Sequence, residues 1–196
     1  YGILMISHTP FKKGSILEVG RYFGVVYSTN FGDCFEITSR PNSNDLAYSS
    51  ATLTPHTDNP YRDPVPGIQL LQCLRNETKG GLSTFVDSLS CIEVLKKETP
   101  EGAEVLAEIP VKFEFNDGET SLSMLRPILA PDANGNVIGL HYSSRLDKLP
   151  LLEEPTLQNY QHARNILARL LVDPGFQVTL KLEPGQCILF DNVRVL

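Results

Sequence analysis

Glycine or proline interrupts this chain about once every seven residues. With fourteen of each spread along 196 residues, the sequence permits short elements joined by tight turns and few long ones. The clearest helical pattern lies in a stretch free of both. Residues 156–172 set Tyr160, Ala163, Leu167, Leu170 and Leu171 on one helical face, and Asp173-Pro174-Gly175 ends the run. Shorter helices are predicted over 15–23 with Ser15 as cap, over 88–97 with Ser88 as cap, and from Thr99-Pro100-Glu101 onward. Strands are predicted over 34–39, 68–74, 84–87, 111–115, 122–129 and 137–143, the last two joined by a turn containing Asn134-Gly135. Residues 176–182 and 186–190 read as a further pair around Glu183-Pro184-Gly185. The fold class is therefore mainly β with flanking helices, as an antiparallel barrel or a two-sheet sandwich.

Charge and composition remove several functions. Seventeen Lys and Arg against 23 Asp and Glu leave a net charge of −6, without the basic footprint that nucleic acid requires. A hydrophobic share of 41% with 20% charged residues supplies a core and argues against disorder. No run reaches the roughly 20 apolar residues of a membrane span. Neither nucleic acid nor membrane is an expected partner, and residues 1–196 read as a single domain. Cys34, Cys73, Cys91 and Cys187 contain no C-x-x-C pair and read as free thiols of a reducing compartment.

The chemistry concentrates in Thr54-Pro55-His56-Thr57-Asp58. In an extended segment His56 and Asp58 project from one side while Thr57 points away. An imidazole beside a carboxylate, joined by a second histidine from elsewhere, makes the facial triad that holds Fe(II) and leaves its opposite side open. Alone, H-x-D is a weak signal that arises often by chance, and a polar turn is its ordinary reading.

The context is more specific. Leu46-Ala47-Tyr48, His56-Thr57-Asp58-Asn59-Pro60-Tyr61, Pro66-Gly67-Ile68-Gln69-Leu70-Leu71 and Gly80-Gly81-Leu82-Ser83-Thr84-Phe85-Val86-Asp87 occur in order, followed by Arg145 and by the run from Pro184-Gly185-Gln186 through Asp191-Asn192-Val193-Arg194-Val195-Leu196. Together they resemble the taurine-dioxygenase-like superfamily of Fe(II)/2-oxoglutarate oxygenases, and within it the γ-butyrobetaine and trimethyllysine dioxygenase branch. The resemblance implies a double-stranded β-helix (a jelly-roll of the clavaminate synthase type), with His56 and Asp58 as metal ligands. It also implies a third ligand, a histidine just after the Asp-Asn-x-Arg-x-Leu run. The sequence ends at Leu196, so the expectation is a catalytic domain truncated before that histidine. His141, His162 and His8 do not match its position.

The same resemblance implies the rest of the site. Ser83, with Thr84 as the alternative, and Arg145 would contact 2-oxoglutarate, although Leu82 stands where the family has an acid. Phe31, Phe35 and Tyr48 fall on the aromatic cage that holds a trimethylammonium group through ring faces; plain packing is the competing reading. Asp45 and His141 fall at substrate positions where the γ-butyrobetaine pattern has Asn. An ionised Asp only accepts hydrogen bonds and would favour an amine over a carboxylate. Asp191 and Asn192 would support the metal-bearing strand, and Pro60, Tyr61 and Pro66 would shape the loop. The implied reaction consumes molecular oxygen and 2-oxoglutarate to hydroxylate a small-molecule substrate, γ-butyrobetaine in carnitine biosynthesis, with ascorbate as an implied reductant. Trimethyllysine, another small zwitterion, or non-catalytic binding of a quaternary ammonium are the alternatives. A homodimer stays open, and the expected compartment is cytoplasmic, with the mitochondrion as the alternative.

Overall fold

The structure, a computed structural model, describes residues 1–37, 53–77 and 80–196. Its strands are β1 (Ile3–Ile6), β2 (Ile68–Gln72), β3 (Leu82–Val86), β4 (Val111–Asn116), β5 (Ser121–Arg126), β6 (Leu129–Pro131), β7 (Val137–Leu140), β8 (Asp147–Lys148), β9 (Gln177–Lys181) and β10 (Cys187–Asp191). The helices are α1 (Ser15–Phe23), α2 (Ser88–Glu98), α3 (Pro100–Glu108) and α4 (Thr156–Val172). All the strand pairings are antiparallel: β1-β10-β2, β3-β9, β5-β4-β8 and β6-β7.

Helix α4 has the predicted bounds because its apolar residues recur at helical spacing. Tyr160, Ala163, Leu167, Leu170 and Leu171 are buried, together with Ile166. They form one core with Leu95 of α2, Leu106 of α3, and Leu129 and Leu140 of the β6-β7 pair. A fully buried Leu of this kind contributes about 1.5–3 kcal/mol. Gly102 lets α3 approach α4, since a Cβ there would sit 2.7 Å from that of Ala163. Arg164 of α4 bonds Asp147 at 2.5 and 3.1 Å and stacks 4.2 Å above the Tyr142 ring, fixing the segment that leads from β7 to β8. A second core of Cys73, Phe85, Leu182, Ile188 and Val195 lies where β2, β3 and β10 meet.

Several local expectations change. Residues 34–37 are irregular and not a strand, while 38 and 39 lie outside the described residues. Gly14, not Ser15, caps α1, and the Ser15 hydroxyl turns back to the Lys12 carbonyl. Asp87, not Ser88, caps α2, its carboxylate accepting the Leu89 N–H. The predicted strand over 122–129 is two strands, because β5 pairs with β4 and β6 with β7. Most consequentially, β9 and β10 do not pair with each other. β9 joins β3 and β10 lies between β1 and β2, so the turn at Glu183-Pro184-Gly185 carries the chain from one sheet to another. Gly185 has φ +84 there and seats against the Thr9 backbone. All four cysteines are free thiols, as the sequence suggested.

Candidate metal centre

The short segment bearing His56 and Asp58 is held by its neighbours on two sides. Thr57 donates its N–H to the Tyr142 carbonyl (2.7 Å) and its hydroxyl to the Leu140 carbonyl (2.7 Å), so it is tied to the end of β7. Asn192, just past β10, accepts the Asp58 N–H (2.8 Å) and donates to the carbonyls of Asp58 (3.0 Å) and Pro66 (2.9 Å). One buried amide thus fixes both ends of the Asp58 peptide frame, the supporting role expected of it. Asp191 acts differently, its carboxylate capping the turn at Val193 and Arg194. Asn59 then turns the chain away with φ +51, a conformation that Asn tolerates better than most residues.

This frame leaves His56 Nε2 3.2 Å from Asp58 Oδ1. The opposite ring nitrogen, Nδ1, lies 2.8 Å from the Thr54 carbonyl. A carbonyl only accepts, so Nδ1 carries the hydrogen and Nε2 presents a lone pair to the carboxylate. Two electron-rich atoms at that separation require a cation between them. In the metal-free protein a proton serves. Burial resists it, but the hydrogen bond and charge of Asp58 outweigh burial and raise the His56 pKa. Burial likewise works to raise the Asp58 pKa, and His56, the Gln69 side chain and the Arg145 charge together hold it below the usual carboxylate range. A divalent ion fits the same place, because two donors ~2.1 Å from one ion and at right angles around it lie ~3 Å apart. Among the described residues, no third His, Cys, Asp or Glu completes a metal-binding group.

The other anticipated residues fall into three groups. Arg145, in the exposed turn after Ser143, bears electrostatically on both His56 and Asp58. Ser83 alternates with Thr84 along β3 and shares the face of Phe85, which enters the second core. Thr84 is exposed, and its hydroxyl meets that of Thr179 at 3.1 Å. Phe31 and Phe35 come together with centroids 5.7 Å apart, whereas Asp45 and Tyr48 lie outside the described residues.

Two rings and one amide extend the set beyond what the sequence pointed to. Phe115 meets Phe31 edge-on at 5.8 Å, and Tyr61 stacks on Phe115 at 5.0 Å. Tyr61 is more than a loop-shaping residue. It is 4% exposed, donates its hydroxyl to Asn59 at 2.5 Å, and burial pushes its pKa up to about 12. The alternation of Val111, Phe113 and Phe115 was the available signal for Phe115. Gln69, which reaches the Asp58 carboxylate, sits in an apolar run that gives no such cue.

His141 is buried, with Nδ1 2.9 Å from the Pro127 carbonyl. Burial pushes its pKa down to about 4, and the Arg126 charge adds to that. In the unfolded chain the imidazole takes its proton near its ordinary ~6.5. The folded value is the lower one, so the contribution to stability is complete above ~6.5 and is lost as pH falls toward ~4, about 3 kcal/mol in all. Denaturant midpoints of the full-length protein should therefore drop more steeply on acidification than those of His141→Asn. Parallel curves would contradict this.

The family model described as "Taurine catabolism dioxygenase TauD, TfdA family" matches residues 1–196. The chain is 31% identical to gamma-butyrobetaine dioxygenase of Pseudomonas sp. (strain AK-1), covering 100% of this chain and 51% of that protein. It is 30% identical to trimethyllysine dioxygenase of Meyerozyma guilliermondii, covering 99% and 50%. The chain thus spans about half the length of the curated relatives it matches. A crystal structure of AAD-2 in complex with Mn(II) and N-oxalylglycine superposes with a TM-score of 0.71 over 100% of this chain and 75% of the other, at 16% identity. That likeness is one of fold, the double-stranded β-helix.

Proposed function

The chain belongs to the taurine catabolism dioxygenase (TauD, TfdA) family, and from that premise we propose that it serves a 2-oxoglutarate-dependent dioxygenase hydroxylating a small trimethylammonium substrate of the γ-butyrobetaine kind. The observation that carries the reading is the bare His56 Nε2 facing Asp58 Oδ1 at 3.2 Å, a pair of donors suited to one ferrous ion. Bound there, Fe(II) together with 2-oxoglutarate supplies oxidation of a C–H bond, with succinate and carbon dioxide as coproducts and ascorbate as the external reductant.

The protein's own part is orientation. The Thr54 carbonyl fixes the His56 tautomer, and Asn192 fixes the backbone of Asp58. The Arg145 guanidinium and the Ser83 hydroxyl are the groups for the cosubstrate's carboxylates, the guanidinium because its fork matches a carboxylate. Phe31 and Phe35, with Phe115 beside them and the buried Tyr61 stacked behind it, offer ring faces to a quaternary ammonium, which donates no hydrogen bond and is attracted by ~0.5–2 kcal/mol per good contact. Holding that end of the substrate selects which C–H meets the oxidant.

Trimethyllysine is the second reading, favoured by the nearly equal identity to a trimethyllysine dioxygenase. Both substrates should be given side by side to the full-length protein, with Fe(II)-dependent succinate as the readout. Greater stimulation by γ-butyrobetaine is the expected result. Greater stimulation by trimethyllysine selects the second reading, and no Fe(II)-dependent succinate with either overturns both.

A further inference from the structure

One side chain of α4 ties the helical layer to the segment beside the dyad. The helix is locked into the core by Tyr160, Ala163 and Leu167, so Arg164 projects from a fixed base. Its guanidinium grips two residues that lie five positions apart in the chain, Tyr142 and Asp147. Nε and Nη2 donate to Asp147 Oδ2 at 3.1 and 2.5 Å, and the guanidinium carbon stands 4.2 Å from the centre of the Tyr142 ring. The pair is largely out of water, with side-chain exposures of 17% for Arg164 and 10% for Asp147. Burial works against the Arg164 charge, but Tyr142 and Asp147 outweigh it and raise its pKa.

Between the two gripped residues runs the turn 143–146. The Ser143 carbonyl closes it by accepting the N–H groups of Leu146 (3.1 Å) and Asp147 (3.0 Å), and β4 holds it through the Glu114 N–H on the Leu146 carbonyl (2.9 Å). Tyr142, at its start, faces two ways. The ring lies against Arg164, while the main chain meets Thr57 in both directions, accepting its N–H at 2.7 Å and donating to its hydroxyl at 3.1 Å. Since Thr57 separates His56 from Asp58, the turn is held from α4 at its base and set beside the dyad. Arg145 is exposed on that turn, and its charge acts on both His56 and Asp58. A long exposed side chain already loses rotamer freedom when it takes up a ligand. A backbone that stays still keeps the cost from growing, which is what preorganisation contributes to affinity.

We propose that Arg164 is a positioning residue for the cosubstrate, holding the turn so that Arg145 meets a carboxylate of 2-oxoglutarate at the candidate metal centre. This rests on the dioxygenase reading above and extends it to a residue that acts through another.

The test is the calorimetric affinity of Mn(II)-loaded full-length protein for 2-oxoglutarate, measured for wild type, Arg145→Gln, Arg164→Lys and the double variant. Lysine keeps a charge for Asp147 but has neither the fork nor the planar face. Arg164→Lys should bind 2-oxoglutarate ~10-fold more weakly, the lower range for losing a residue that supports a ligand, and Mn(II) as wild type does. Arg145→Gln should lose at least as much. In the Arg145→Gln background the change at Arg164 should add less than ~2-fold, because the side chain it positions is gone. An ion pair that serves stability alone would lower the Tm without producing that coupling. Asp147→Asn, nearly isosteric, makes the same comparison from the other side of the pair and keeps the test decisive if Arg164→Lys misfolds.

Unaltered 2-oxoglutarate affinity in Arg164→Lys or Asp147→Asn would overturn the positioning role. So would losses that multiply in the double variant, or an equal weakening toward Mn(II). Unaltered affinity in Arg145→Gln would remove Arg145 as the cosubstrate contact and the positioning role with it, while succinate production by wild type leaves the dioxygenase reading standing. No Fe(II)-dependent succinate from wild type would take both down.

Discussion

Replacing His56 by alanine in the full-length protein is expected to lower Fe(II)-dependent turnover by more than ~100-fold, the upper range for losing a residue that merely supports a ligand. The argument is geometric. His56 and Asp58 are the two donors brought to 3.2 Å, and Asp58 alone offers an ion a single carboxylate in a half-exposed position. The fold should survive the change. Among the described residues the side chain bonds the nearby Thr54 carbonyl and its partner Asp58, while the segment is held through Thr57 and Asn192. Retained circular dichroism with lost succinate production is therefore the expected pair of results. Full turnover by the alanine variant would break the assignment.

The largest effect on stability is expected at Gly139, in β7. A Cβ there would lie 2.1 Å from the Val193 carbonyl oxygen and 2.6 Å from its carbon. Those are backbone atoms of the turn after β10, and that turn cannot yield cheaply. It accepts the Leu140 N–H through Val193 and the Ser88 N–H through Arg194, each at 2.8 Å. Arg194 also forks onto Asp87 at 3.0 and 3.1 Å. Moving the turn would drag Asn192 off the Asp58 backbone, coupling a packing defect to the candidate metal centre. Gly139→Ala should therefore cost more than ~4 kcal/mol, an exceptional value for a single methyl, and leave most of the protein unfolded at room temperature in denaturant titrations. Gly80→Ala is the control, since nothing lies within 4 Å of its added Cβ. A Gly139→Ala protein with a wild-type midpoint would refute the close approach.

These two residues mark what the sequence made legible. His56 and Asp58 could be read because alternation along a short extended segment sets them on one side, and because ordered neighbouring motifs resemble a known family. Helix α4 could be read because its periodicity and its stop signal are local. Gly139 could not, since its requirement comes from a turn more than fifty residues away. The pairing of β9 with β3 was equally hidden. Glu183-Pro184-Gly185 looks like the turn of a hairpin, and nothing local says that the two flanking strands enter different sheets. Asn192 was anticipated as a support, but its grip on three backbone groups appears only once β10 and the Asp58 loop are side by side.

The central claim is that His56 and Asp58 share one divalent ion. Titrating full-length protein with Mn(II), an oxygen-stable substitute for Fe(II), and following the free-ion signal by electron paramagnetic resonance tests it most directly. The account predicts that wild type removes the signal stoichiometrically and that His56→Ala and Asp58→Ala both fail to do so at the same concentrations. Wild-type Mn(II) affinity in either variant would contradict it.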